Sequence, residues 1–154
     1  MKKISIILFI LTLCLFLTGC NDKTKETKSL ETFDTISTNN GFTTYSTLAN
    51  YSKETYIIDA IKATKDNNIE IEMINYDTEE SAKKVQDKQI DGFMGLKSAN
   101  AVINKDKGKN YYKYTMISNR YYMITSRIDN TLVFSKTKVE NKDTVDKIFN
   151  ELGY

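Results

Sequence analysis

The chain has 154 residues, no histidine, no proline and no tryptophan, and only two cysteines. Without histidine it lacks the commonest general base and the commonest zinc ligand. Both cysteines, Cys14 and Cys20, fall in the first twenty residues, so the rest of the chain has neither a disulfide nor a thiol nucleophile. Long apolar runs are missing too: the longest, Ile4 to Leu17, is 14 residues, whereas a membrane-spanning helix needs about 20. Charge of one sign is also lacking, with 22 basic and 20 acidic side chains. Such a balance argues against nucleic acid or anionic lipid as the main partner, because both reward clustered positive charge.

What is present at the start is a secretory pattern. Lys2-Lys3 precedes the apolar run, which closes on Leu17-Thr18-Gly19-Cys20 and gives way at once to the polar Asn21-Asp22-Lys23-Thr24. Leu17, Thr18 and Gly19 before Cys20 resemble a bacterial lipobox. That resemblance implies cleavage after Gly19, diacylglyceryl transfer to the Cys20 sulphur, and a protein held by lipid on the outer side of the cell membrane. Two acyl chains give lasting attachment where one is marginal, at about 0.8 kcal/mol per buried methylene. Cleavage also removes Lys2 and Lys3, which leaves 20 side chains of each sign.

The expected division is therefore a cleaved signal over 1–19, a lipidated cysteine with a polar tether over 20–28, and one domain over 29–154. Within the domain Ser29 is placed to cap a helix with Leu30, Phe33 and Ile36 on one stripe, ended by Asn40-Gly41 with Phe42 folding back. Strands are expected over 42–48, 56–65 and 69–76, with Asp66-Asn67-Asn68 as a hairpin signal. Ile69, Ile71 and Met73 alternate with Glu70 and Glu72, which predicts one buried and one wet face. Asp77 to Glu80 has the spacing of a capping box before a helix carrying Ala82, Val85 and Gln89, and 106–110 reads as a loop.

Three further strands, near 111–117, 120–128 and 131–136, are joined by Ser118-Asn119 and Asp129-Asn130. With two-residue turns, Met116 faces Tyr121, Arg127 faces Leu132 and Thr125 faces Phe134. Tyr112, Tyr114, Met116, Tyr121, Met123, Leu132 and Phe134 then share one side, and a one-residue slip would scramble that sorting. The last helix has Val145, Ile148, Phe149 and Leu152 on one face, with Gly153 at a left-handed cap and Tyr154 folding back. The expectation is an α+β fold in the order α-β-β-β-α-β-β-β-α, an antiparallel sheet with helices packed on one face.

Arg127 to Leu132 and the terminal Leu152-Gly153-Tyr154 are similar to small uncharacterised lipoproteins of Gram-positive bacteria, a group with no activity to carry over. The lack of Pro and Trp with abundant Lys, Asn, Ile and Tyr likewise resembles proteins of low G+C bacteria.

Chemistry is sparse. Glu70 and Glu72 would share a strand face about 7 Å apart, within the range of inverting glycosidases, but they also suit the solvated side of an amphipathic strand. No serine sits in a nucleophile elbow, Gly92-Phe93-Met94-Gly95 is too short for a phosphate loop, and no acidic run matches a calcium loop. No catalysis, metal or cofactor is expected. Tyr111, Tyr112, Tyr114, Tyr121 and Tyr122 suit a sheet as well as a binding surface. Arg127, on the apolar side of the register, and Asn130 in the turn are candidate structural or ligand contacts, with the last helix supplying partners for Arg127. The expected function is a binding, sensing or accessory lipoprotein that meets an unknown protein or small ligand. The alternative is a self-protection or inhibitory lipoprotein that blocks a toxin or hydrolase at the envelope.

Overall fold

The computed structural model describes residues 23–66 and 68–154. Leu17, Thr18, Gly19 and Cys20, with the rest of the expected signal, lie outside the described residues. In chain order the elements are α1 (Leu30–Asn39), β1 (Thr43–Ser46), a 3₁₀ turn (Leu48–Tyr51), β2 (Ile57–Lys65), β3 (Ile69–Tyr76), α2 (Glu79–Met94), β4 (Val102–Lys107), β5 (Tyr111–Ser118), β6 (Tyr121–Ile128), β7 (Thr131–Lys138), a second 3₁₀ turn (Val139–Asn141) and α3 (Lys142–Leu152). The strands form one antiparallel sheet in the order β1-β2-β3-β7-β6-β5-β4. This is the expected α+β fold in a single domain, with one strand added. β4 occupies Val102–Lys107, so Asp106 and Lys107 of the expected 106–110 loop belong to a strand, and Val102 to Lys105, for which no strand was expected, complete it. Being an outer strand it needs no apolar second face, so alternation is weak there.

Local signals hold where the backbone itself demands a residue type. Ser29 accepts a hydrogen bond from the Thr32 N–H and starts α1. Gly41 and Gly153 both take positive φ, 77° and 86°, just past their helices. In each case the next aromatic folds back: the Phe42 N–H donates to the Ser37 carbonyl and the Tyr154 N–H to that of Phe149. α2 begins one residue later than expected, on Thr78, because the Asp77 N–H is still bonded to the Tyr56 carbonyl.

The β6–β7 hairpin has the predicted register, with Arg127 opposite Leu132 and Thr125 opposite Phe134. In the β5–β6 hairpin Met116 faces Met123, not Tyr121, since the loop is Asn119-Arg120. Asn119 adopts φ 55° and Asp129 φ 48°, so each loop opens on a residue that tolerates the left-handed region. The displacement is two residues, an even number, and every side chain keeps its face.

The helices, however, do not share a face. Ile71, Met73, Ile124, Ile128 and Val133 point to one side, where Phe33 of α1 and Val145, Ile148, Phe149 and Leu152 of α3 bury them. Tyr114, Met116, Met123 and Leu132 point to the other, under Ala82 and Phe93 of α2. The inner strand β6 is buried on both sides from Tyr122 to Ile128, so a cover on one face alone would leave half of it wet.

Residues 23–28, expected to be a free tether, are fixed to the domain instead. The Lys109 N–H donates to the Lys23 carbonyl at 2.9 Å. Asn110 exchanges two bonds with the Lys25 backbone, and the Thr27 hydroxyl donates to Asp129 at 2.6 Å. Their polar composition meant no core contribution, but polar backbone binds well to the open groups of hairpin loops. Gly108 permits the approach: a Cβ there would lie 2.2 Å from the Lys23 oxygen and 2.2 Å from the Tyr111 ring.

Candidate functional site

α3 packs over the centre of the sheet and leaves β4 and β5 uncovered on its own side. Between them is a cleft of about 280 Å³. Register supplies one wall, pairing Asp106 with Lys113 and Asn104 with Thr115 across β4 and β5. Helical spacing supplies the other: Lys142, Asp146 and Asn150 recur every four residues beside the buried stripe of α3. Tyr122 of β6 forms part of the floor.

The charges in this cleft are arranged in fixed pairs. The Tyr122 hydroxyl donates to one oxygen of Asp146 and the Lys142 ammonium bonds the other, each at 2.5 Å. The Tyr111 hydroxyl donates to Asp106 at 3.0 Å. Burial first, then the Asp146 charge, pushes the Tyr122 phenol well above the ordinary tyrosine range. The Lys113 ammonium donates to the main-chain oxygen of Tyr154 at 3.0 Å and lies 5.7 Å from the centre of the Phe149 ring. Burial, and next the neighbouring Lys25 charge, hold its pKa below the usual lysine value, against the opposing pull of Asp146 and Asp106.

Chemically, the cleft presents ammonium, amide and hydroxyl groups. Both of its carboxylates, Asp106 and Asp146, already accept hydrogen bonds from buried tyrosines.

The residues singled out from sequence lie elsewhere. Arg127 is buried on the α2 side, its Nη1 2.7 Å from Glu79 Oε1 and 3.0 Å from the Asp129 carbonyl. It therefore clamps the first turn of α2, and the expected attachment to the last helix is corrected: Arg127 and α3 are on opposite faces. Asn130 donates to Asn75 Oδ1 and the Tyr76 carbonyl, stitching the β6–β7 turn to β3. Glu70 and Glu72 do not share a wet face. Glu72 is buried and accepts from Thr47 at 2.6 Å and from Tyr51 at 3.0 Å, whereas Glu70 stays exposed and pairs with Lys62 at 3.1 Å. The 3₁₀ turn covers that part of the strand, which no local pattern announced. Tyr111 and Tyr114 are buried in the core and Tyr112 is partly so, Tyr121 is exposed, and of the five Tyr122 alone lines the cleft.

The cleft residues were not assembled from sequence. The one available signal was the polar Lys142-Asp146-Asn150 stripe next to the apolar face of the last helix. Among the described residues no group of His, Cys, Asp and Glu could hold a metal, and no helix is long and apolar enough to cross a membrane. Comparison with protein families, with curated proteins and with solved structures gives no match.

Proposed function

We propose that this chain is a lipid-anchored, extracytoplasmic binding module, sensing or accessory in role and without catalysis of its own. Cys20 carries the anchor, and the cleft beneath α3 takes a small polar ligand with an anionic group. Lys113 carries the reading. Its half-buried ammonium, bonded to the Tyr154 main-chain oxygen and close to the Phe149 ring, stands on the β5 wall of the cleft with a second cation, Lys142, on the wall opposite, and an incoming anion repays that desolvation.

The anchor is tested by fractionating cells that express wild type and Cys20→Ala. Retention and processing should be lost in the variant, and an unchanged membrane-bound product would refute the lipoprotein reading. The cleft is tested by screening the lipid-free domain against carboxylates, phosphates and acidic sugars by thermal shift. Binders should lose their effect in Lys113→Met; ligands that act equally on both proteins would move the site elsewhere.

A second reading, an inhibitory lipoprotein, draws on Met94 and Leu96. These are 42% and 46% exposed where α2 ends. Crosslinking on living cells separates the two: an enzyme or toxin attached through this end favours inhibition.

A further inference from the structure

Although the expected mature chain is electrically balanced, its lysines are not evenly spread. Fixing residues 23–28 against the β4–β5 loop brings Lys23 against Lys109 and Lys25 against Asn110, with Lys107 at the end of β4 and Lys105 two residues further along it on the α2 side of the sheet. Two of these ammoniums lie over aromatic rings, Lys25 4.8 Å from the centre of Tyr111 and Lys105 5.9 Å from that of Tyr114. Two carboxylates lie among these five lysines, Asp106 bonded by the Tyr111 hydroxyl and Asp129 by Thr27 and Asn110, while Glu26 is paired with a sixth, Lys28. The excess of positive charge is felt inside the fold, since the Lys25 charge helps to depress the pKa of Lys113.

We infer that this end of the domain, the β4–β5 hairpin with Lys23 and Lys25, is a membrane-facing surface that binds anionic phospholipid headgroups. The direction rests on the proposed lipid at Cys20. Only three residue steps separate Cys20 from the fixed Lys23, a reach of at most about 11 Å. The screening length at physiological salt is about 8 Å, so these lysines lie within effective range of the headgroups that the anchor enters. A freely moving segment of eight residues would have averaged roughly 15 Å and left the orientation open. Each lysine near an anionic surface contributes about fivefold in partition.

The test uses the chain from residue 20 with Cys20→Ser, made without residues 1–19, in sedimentation with lipid vesicles. It should partition onto phosphatidylglycerol vesicles and not onto phosphatidylcholine, and be released by salt. Lys23→Glu with Lys109→Glu should weaken partition by about 25-fold or more at unchanged thermal stability. Lys83→Glu with Lys97→Glu, the same change in net charge on exposed side chains elsewhere, should have little effect. Equal losses in the two double variants, equal partition onto both lipids, or none onto phosphatidylglycerol would overturn the inference. Lipidation plays no part in this assay, so a failed anchor and a failed basic surface give separate results.

Discussion

The two faces of the sheet are closed by different kinds of contact. Under α1 and α3 the cover is apolar, with Phe33, Val145, Ile148, Phe149 and Leu152 fully buried. Under α2 the fully or nearly buried apolar side chains are Ala82 and Phe93, and polar clamps do much of the holding. Arg127 grips Glu79 at the start of the helix, Gln86 donates to the Tyr112 carbonyl in its middle, and Thr125 donates to Gln89 further along. Burial of apolar area is strong but undirected, whereas a hydrogen bond is weak in net terms and fixes a position. α3 therefore supplies stability to the fold, and α2 is set in register on it.

The sharpest break of that contrast is Phe149→Ala, expected to lower stability by about 3–5 kcal/mol in urea melts of the lipid-free domain. Phe93→Ala, at the margin of the α2 side, should lose about half as much or less. Equal losses would mean that α2 is held by packing after all.

Next comes Arg127→Ala, at about 1–3 kcal/mol, because Glu79 and the Asp129 carbonyl both lose a charged donor. Arg127→Lys should recover only part, since an ammonium lacks the planar fork. Hydrogen exchange should show the amides of α2 losing protection in the variant before those of α3, the signature of a local opening. Gln86→Leu is expected within about 1 kcal/mol of wild type. It removes one bond but also a buried amide oxygen, Oε1, that has no hydrogen-bond partner. The smallest effect is that of Arg120→Ala in the exposed β5–β6 loop, about 0.5 kcal/mol or less.

Alkaline titration sharpens the same comparison from the α3 side. Lys113 has a folded pKa below 10.5, so between the two values the unfolded chain binds more protons and stability rises with pH. Below the folded value the penalty is complete. Lys113→Met should abolish this rise, so wild type gains on the variant as the pH climbs. Buried tyrosines act in the opposite sense. Tyr154, pushed up to about 12 chiefly by burial, keeps its proton when folded and loses it when unfolded, and Tyr76 and Tyr122 are raised likewise. Their stability is present below about pH 10 and is lost as the pH rises towards about 12; wild type and variant share it, so it cancels from their difference, which is followed up to about pH 10.5. A flat difference between wild type and variant across that range would place Lys113 in solvent.

Sequence carried the fold wherever the determinant was local. Ser29, Gly41 and Gly153 stand at positions that their residue types nearly dictate, and the parity of β5, β6 and β7 survived even a misplaced loop. What it could not carry were relations between distant segments. Arg127 meets Glu79 across 48 positions and Glu72 meets Thr47 across 25, so neither partner leaves a periodic trace. The cleft is more distant still from local pattern, because it exists only where α3 stops short of β4 and β5. Two helix covers were hard to anticipate for a related reason. Thr125 and Gln86 are buried on satisfied or partly satisfied bonds, and Ser126 is buried with its hydroxyl unpartnered; such polar side chains make a wet face and a covered face read alike.

A sheet of seven strands must end twice, and both ends here discourage growth. β1 offers four residues, too short a ledge for another chain to settle on. β4 is longer, but its last four residues run Asn104-Lys105-Asp106-Lys107, so a second copy drawn alongside in register would set ammonium against ammonium. The lipid anchor proposed above would confine the protein to a plane, where copies meet far more often than they do free in volume. With its rims blunted in this way, the domain can be packed densely side by side and still not polymerise through its backbone.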